Sequence, residues 1–141
     1  MIDHELVTRK MVLIGGDLQE ITRLADMPLQ EYLGDLRAEV LAERYLERVI
    51  GRMIDINFHM ITESGQAPPR DYYDSFVIMG TLGILPADLA RRMASCAGLR
   101  NRIVHEYDEI DPARVHAALG DAARDVVAYL RQIESQLPPA E

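Results

Sequence analysis

The sequence predicts an all-α fold: a bundle of antiparallel helices, four of them long, joined by shorter helical segments. Three observations predict it. Apolar residues recur at i, i+4 and i+7 through four long stretches, the period that gives a helix one buried face. No stretch alternates with the period of two that a strand requires. Aspartates, glycines and prolines punctuate the chain between the periodic stretches, and such short connections make neighbouring helices antiparallel.

The first helix carries Val7, Met11, Ile14, Leu18, Ile21 and Ala25 on one stripe. Gly15-Gly16 interrupts it at a cost of roughly 1 kcal/mol each relative to alanine. The pair reads either as a weak point in the helix or as a place where another backbone comes close. Pro28 ends or restarts this helix, and Leu29 to Leu33 reads as a short connecting turn of helix. The second long helix spans about Asp35 to Glu63, with Asp35 as N-cap. Leu41, Tyr45, Val49, Met53, Ile56 and Met60 form one stripe, and Leu46, Ile50, Ile54, Phe58 and Ile61 a second beside it. So wide an apolar surface belongs to a helix buried between several neighbours, or to one shared with a second subunit. A polar line, Arg44, Arg48, Arg52, Asp55 and His59, takes the remaining face and reads as a solvated face or as part of a cleft.

Ser64-Gly65-Gln66-Ala67-Pro68-Pro69 is a loop, followed by a short helix from about Asp71 to Leu82 and the punctuation of Gly83 and Pro86. Pro86 suits the first turn of a helix that carries Leu89, Met93, Cys96 and Ala97. Asp111-Pro112 starts the last helix, with an aspartate cap and proline at N1. That helix buries Val115, Leu119, Ala122, Val126, Leu130, Ile133 and Leu137. No linker or repeat divides the chain, so residues 1–141 are expected to form a single domain, with 138–141 a frayed tail.

Composition narrows the function classes. Apolar residues make up 48% and charged residues 27% of the 141, a globular balance with enough apolar surface for a core. Cys96 is the sole cysteine, so no intrachain disulfide or Cys/His zinc site is expected, and the thiol reads as reduced and partly buried. His4, His59 and His116 lack metal-ligand spacing, and no metal or other cofactor is expected. The start of the chain shows no secretory signal and no apolar run approaches a membrane span, so a cytoplasmic location is expected. The net charge of −8 opposes non-specific coating of nucleic acid, which needs a basic face. It leaves room for a local basic site. All the basic residues except Lys10 are arginines, and Arg91, Arg92, Arg100 and Arg102 follow one another with no acid between them. Acids gather just after, at Glu106, Asp108, Glu109 and Asp111.

That basic stretch ends in Arg100-Asn101-Arg102-Ile103-Val104-His105-Glu106-Tyr107. Arginine clamps phosphate oxygens and histidine moves protons near neutral pH. Together they supply what metal-free RNA cleavage needs, because the 2′-hydroxyl beside the scissile phosphate is an internal nucleophile. His105 would act as general base or acid, Arg100 with Arg102 would stabilise charge on the phosphorane, and Asn101 would orient the imidazole or the phosphate. Helix geometry complicates this: Arg100 and His105 lie roughly 140° apart around an ideal helix. Asn101 and Arg102 are the residues that share a face with His105. Convergence of Arg100 and His105 requires a distorted helix, the reach of the arginine, or a second subunit. By themselves such residues are more often the charged end of a structural helix than a catalytic site.

The motif resembles that of the HepT-like branch of the HEPN superfamily: arginine, a polar residue, three further residues, histidine, any residue, tyrosine. Arg100, Asn101, His105 and Tyr107 occupy its positions. The flanks are similar as well, in Gly83-Ile84-Leu85-Pro86, in Ala97-Gly98-Leu99, and upstream in Glu43-Arg44 and Asp55-Ile56-Asn57-Phe58-His59. The resemblance covers nearly the whole chain. It implies a HEPN-type bundle that forms a homodimer with two motifs facing across a cleft. It implies the ribonuclease toxin of a type VII toxin–antitoxin pair, with Arg100 and His105 catalytic and RNA, not DNA, as substrate. It further implies an MntA-like nucleotidyltransferase antitoxin as partner, transferring AMP from ATP to Tyr107. The alternative is a non-catalytic interaction module, the substrate and scaffold of that nucleotidyltransferase, which an isoelectric point near 5.0 suits. A small-molecule-binding bundle has only the fold in its favour. Tyr72 and Tyr73 read as core or rim residues, with base stacking as a lesser alternative.

Overall fold

A computed structural model describes residues 1–139. The described residues form α1 (His4–Ala25), α2 (Leu29–Leu33), α3 (Leu36–Glu63), α4 (Tyr72–Thr81), α5 (Ala87–His105), a 3-10 turn (Tyr107–Glu109) and α6 (Pro112–Gln136), with no strand among them. Of the expected tail, Pro138 and Pro139 are exposed, and Ala140 and Glu141 lie outside the described residues.

Aspartate caps start four of these helices. The carboxylates of Asp3, Asp35, Asp71 and Asp111 accept from the backbone N–H of Leu6, Ala38, Asp74 and Ala113. Each satisfies a donor the helix itself cannot, and each stabilises its helix by about 1 kcal/mol. Pro86 departs from expectation by one position: it is the residue before α5, extended at φ −57° and ψ 143°, rather than part of the first turn. A proline ring needs no partner for its nitrogen at either place.

α3 lies at the centre, packed by α1, α2, α4, α5 and α6. Both of its apolar stripes are used: Leu46, Val49, Ile50, Met53, Ile54, Ile56, Met60 and Ile61 are all buried. Burial of each contributes roughly 1.5–3 kcal/mol relative to exposure. α4 and α5 meet at unusually close range because Gly80 has no side chain; a Cβ there would lie 2.7 Å from the Cβ of Ala90. Gly83, at φ +75°, turns the chain between them in the left-handed region that favours glycine. Gly15-Gly16 serves no such purpose among the described residues. α1 runs through both, and a Cβ at either would have no neighbour within 4 Å. Val12 and Leu13 beside them are exposed.

A buried chain of hydrogen bonds ties α6, α3 and α4 together. The Tyr129 hydroxyl donates to Asn57 Oδ1 at 2.7 Å and lies 3.1 Å from the Met53 carbonyl. The Asn57 amide donates to Ser75 Oγ at 3.1 Å, and Ser75 Oγ donates to the Tyr72 carbonyl at 2.7 Å. Tyr129, Asn57 and Ser75 are all fully buried, so every group must find its partner inside the protein. Cys96, on α5, is a free, partly buried thiol beside Asp125 and Asp121. Burial, with smaller contributions from those two carboxylates, pushes its pKa up to about 11.

Two measurements check this account. Tyr129→Phe keeps the ring packing but strands Asn57 Oδ1, and is expected to lower unfolding free energy by about 1–3 kcal/mol in urea titrations. At pH 8 only about one Cys96 thiol in a thousand is ionised, so a thiol reagent should react far more slowly with native protein than with unfolded protein. Equal rates would contradict the burial of Cys96.

Candidate active site

α5 remains α-helical through His105, and Glu106 ends it at φ −131° and ψ 37°. This regularity leaves no helix distortion to swing Arg100 and His105 onto one face. The two side chains make no hydrogen bond with each other, and they occupy different surroundings.

Arg100 turns towards α3 and α4. Its guanidinium carbon sits 5.1 Å from the centre of the Tyr72 ring, and Nη1 donates to Asn101 Oδ1 at 3.4 Å. Its Nε is covered and makes no hydrogen bond among the described residues. The ring therefore supplies much of what orients the guanidinium, a cation–π contact of about 0.5–2 kcal/mol depending on how far it is desolvated. Tyr72 is in turn held edge-on by Phe58, with centroids 6.3 Å apart at 79°, and its carbonyl ends the buried hydrogen-bond chain from Tyr129. Tyr72 is thus a rim residue, 39% exposed, with an aromatic body and a cation above it. Local spacing in the sequence carries no sign that Tyr72 and Arg100 meet, since they lie on different helices.

The cleft around Arg100 has a volume of roughly 270 Å³ and is lined also by Glu47, Arg48, Arg52, Asp55 and Tyr72. The polar line of α3 is therefore not a freely solvated face. Arg48 Nε and Arg52 Nη1 both reach Asp17 Oδ2 of α1, at 3.0 and 2.7 Å. Lys10 of α1 pairs with Asp55 at 2.9 Å. His59 Nε2 accepts from the backbone N–H of Asp3 at 2.9 Å, supporting the start of α1. Arg44, at the solvent edge, pairs with Glu47 at 3.3 Å. Arg48, Arg52, Asp55 and His59 thus reach α1 or its cap, while Arg44 stays in water. Asp17, only 7% exposed, is the partner that sequence patterning did not single out, because it lies within a stretch read for its apolar stripe.

The other motif residues lie elsewhere on α5 and just beyond it. Asn101 is exposed. Arg102 lies on the flank facing α6, where with Arg114 it lines two adjoining clefts that also include Leu99. Arg100 and Arg102 thus lie on different surfaces of the chain. His105 is exposed at the last position of α5. It is distinct among the four histidines. His4 contacts Thr8 at 3.4 Å, His59 holds Asp3, and His116 Nε2 lies 2.7 Å from the Met27 carbonyl with its ring tilted against Tyr32. His105 alone has no hydrogen-bond partner among the described residues, so its ring nitrogens are free to meet a ligand. Tyr107, in the 3-10 turn, is 67% exposed.

No group of three or more His, Cys, Asp or Glu side chains that could hold a metal ion occurs among the described residues. No described helix is long and apolar enough to cross a membrane.

Comparison with known proteins places the chain in a family. The model of the HepT-like ribonucleases matches residues 14–133. The tRNA nuclease HepT of Aphanizomenon flos-aquae is 33% identical over 136 residues, covering 96% of this chain and 92% of the relative. Among solved structures, the tri-AMPylated HEPN toxin of Shewanella oneidensis, in complex with its MNT antitoxin, superposes with a TM-score of 0.85 at 20% identity over 96% of this chain and all of the other. A toxin–antitoxin complex with AMP-PNP superposes with a TM-score of 0.86 at 19% identity over 94% of this chain. At those identities the structures speak for the fold. The family model and the relative from Aphanizomenon flos-aquae speak for descent, and the chain belongs to the HepT-like ribonuclease family.

Proposed function

We propose that the chain is a metal-independent endoribonuclease, the toxin of a type VII toxin–antitoxin pair, in which Arg100 and His105 cut RNA. The observation that carries this reading is the contrast among the histidines: three are engaged within the chain, while His105 presents free nitrogens to solvent at the end of the helix that holds Arg100 over Tyr72.

His105 takes the proton from the 2′-hydroxyl as general base, or returns one to the leaving 5′-oxygen as general acid. Arg100 faces the non-bridging oxygens as charge accumulates on them, and the Tyr72 ring keeps its guanidinium from folding away. Asn101, bonded to Arg100, fixes the rotamer or contacts the phosphate. Cleavage yields a 2′,3′-cyclic phosphate and a 5′-hydroxyl, and DNA, without the nucleophile, resists. A homodimer completes the site: with α5 unbroken, Arg100 of one protomer and His105 of its partner meet more readily than the two on one helix. Arg102, turned towards α6, adds positive charge beside the path of the RNA.

The partner is an MntA-like nucleotidyltransferase that adds AMP to Tyr107. Exposure of Tyr107 on a turn beyond the helix makes its hydroxyl accessible to another protein's active site. Each AMP brings a phosphate and a nucleoside close to His105, so charge and bulk both oppose RNA. The reading of this chain as a non-catalytic module draws on its net charge of −8, which gives RNA little long-range steering.

Incubation with total transfer RNA in EDTA separates the two readings. The enzyme is expected to cut RNA and spare DNA, with His105→Ala slower by about 10²–10⁴ and Arg100→Ala by about 10²–10³. Undiminished cleavage by His105→Ala protein would sink the assignment. Co-production with an MntA-like nucleotidyltransferase is expected to raise the intact mass in AMP-sized steps, absent in Tyr107→Phe. Steps that persist in Tyr107→Phe would move the modification elsewhere.

A further inference from the structure

We infer that Arg48 and Arg52 of α3 form a second phosphate-binding site, which holds the RNA backbone next to the phosphate contacted by Arg100. The inference rests on the ribonuclease reading and adds to it residues outside the motif.

The first ground is placement. Arg48 and Arg52 line the same cleft as Arg100 and Tyr72. They are four residues apart on α3, hence one turn apart on one face, a separation of about 5–6 Å between their Cβ atoms that suits neighbouring groups on an extended strand.

The second is preorganisation. Both guanidiniums contact the same oxygen of Asp17. Asp17 is almost fully buried, so it is a fixed anchor rather than a swinging surface group. A guanidinium has five N–H donors. Arg52 Nη1 donates to Asp17 and Arg48 Nε lies 3.0 Å from the same oxygen, which leaves donors on both arginines. Held by Asp17, the two side chains lose less rotamer freedom on binding than a free surface arginine would. The Arg48 side chain keeps 39% of its surface exposed and that of Arg52 keeps 20%.

The third is charge. The two carboxylates at the cleft rim are already matched, Glu47 by Arg44 and Asp55 by Lys10. What remains is Arg48, Arg52 and Arg100 against the single carboxylate of Asp17, an excess of positive charge inside a chain of net charge −8. That imbalance is local, and it explains how an acidic protein would hold a polyanion in one place without coating itself in it.

The test is RNA binding, measured on full-length His105→Ala protein so that the probe survives. Fluorescein-labelled transfer RNA is titrated at several salt concentrations. Arg48→Gln and Arg52→Gln are each expected to weaken affinity severalfold, and to reduce the slope of log affinity against log salt by about one, because each removes one phosphate contact. Arg48→Lys keeps the charge and should keep the slope. Arg23→Gln, which removes a surface arginine paired with Glu20 on α1, should change neither quantity. Removal of Arg52 leaves Asp17 under-paired, so Asp17→Asn/Arg52→Gln is measured alongside; it strands no buried charge and should show the same reduced slope. Folded variants with the parent's affinity and slope would overturn the inference while leaving the nuclease reading intact. An equal loss in Arg23→Gln would also overturn it, by showing diffuse binding. Failure of the unmodified protein to bind or cut any RNA would instead remove the nuclease reading and this inference with it.

Discussion

Burial of α3 on nearly every side is the constraint from which the rest of the structure follows. The helix is 28 residues long and packs against five others, so its two apolar stripes are consumed by the core. Part of its polar face turns to α1 rather than to water alone: Arg48 and Arg52 share Asp17, Asp55 pairs with Lys10, and His59 holds the backbone at Asp3. The cleft beside Arg100 is the gap left where this seam of charges meets α4 and α5.

The core and the site are physically continuous. From Tyr129 on α6, hydrogen bonds pass through Asn57 and Ser75 to the carbonyl of Tyr72, and the Tyr72 ring carries the guanidinium of Arg100. A shift of α6 or α4 by a fraction of an ångström would be felt at Arg100, because a buried polar chain cannot stretch without leaving a group unpaired. Phe58 limits the ring from its edge. The close approach of α4 and α5 at Gly80 and Ala90 fixes the distance between the helices that carry Tyr72 and Arg100. The 3-10 turn with Tyr107 stands outside this packed framework, with none of its residues buried.

The chain's charge is organised on two scales. Its total of −8 keeps polyanions away in general, while the Arg48–Arg52–Arg100 cleft and the Arg102–Arg114 flank offer positive charge locally. Those two basic places lie on different sides of α5, which separates residues two positions apart in sequence.

Much of the fold was legible in the sequence. The stripes of α3, the caps at Asp35 and Asp111 and the loop at Ser64–Pro69 all depend on interactions within a few residues, and helical periodicity reports those directly. The Arg–His–Tyr motif was equally legible, as a pattern of family membership. What the sequence could not supply was which residues meet across helices. Asp17 and Arg52 are 35 residues apart, and Arg100 and Tyr72 meet across two helices that pack closely at Gly80 and Ala90. Gly15-Gly16, open to either a weak helix or a close contact, makes no close contact among the described residues. The sequence by itself determined the helices, the core faces and the chemistry available in the motif. Only the tertiary structure decided that Arg100 faces α3, that Arg102 faces α6 and that His105 alone among the histidines is free, because those outcomes depend on how the helices cross.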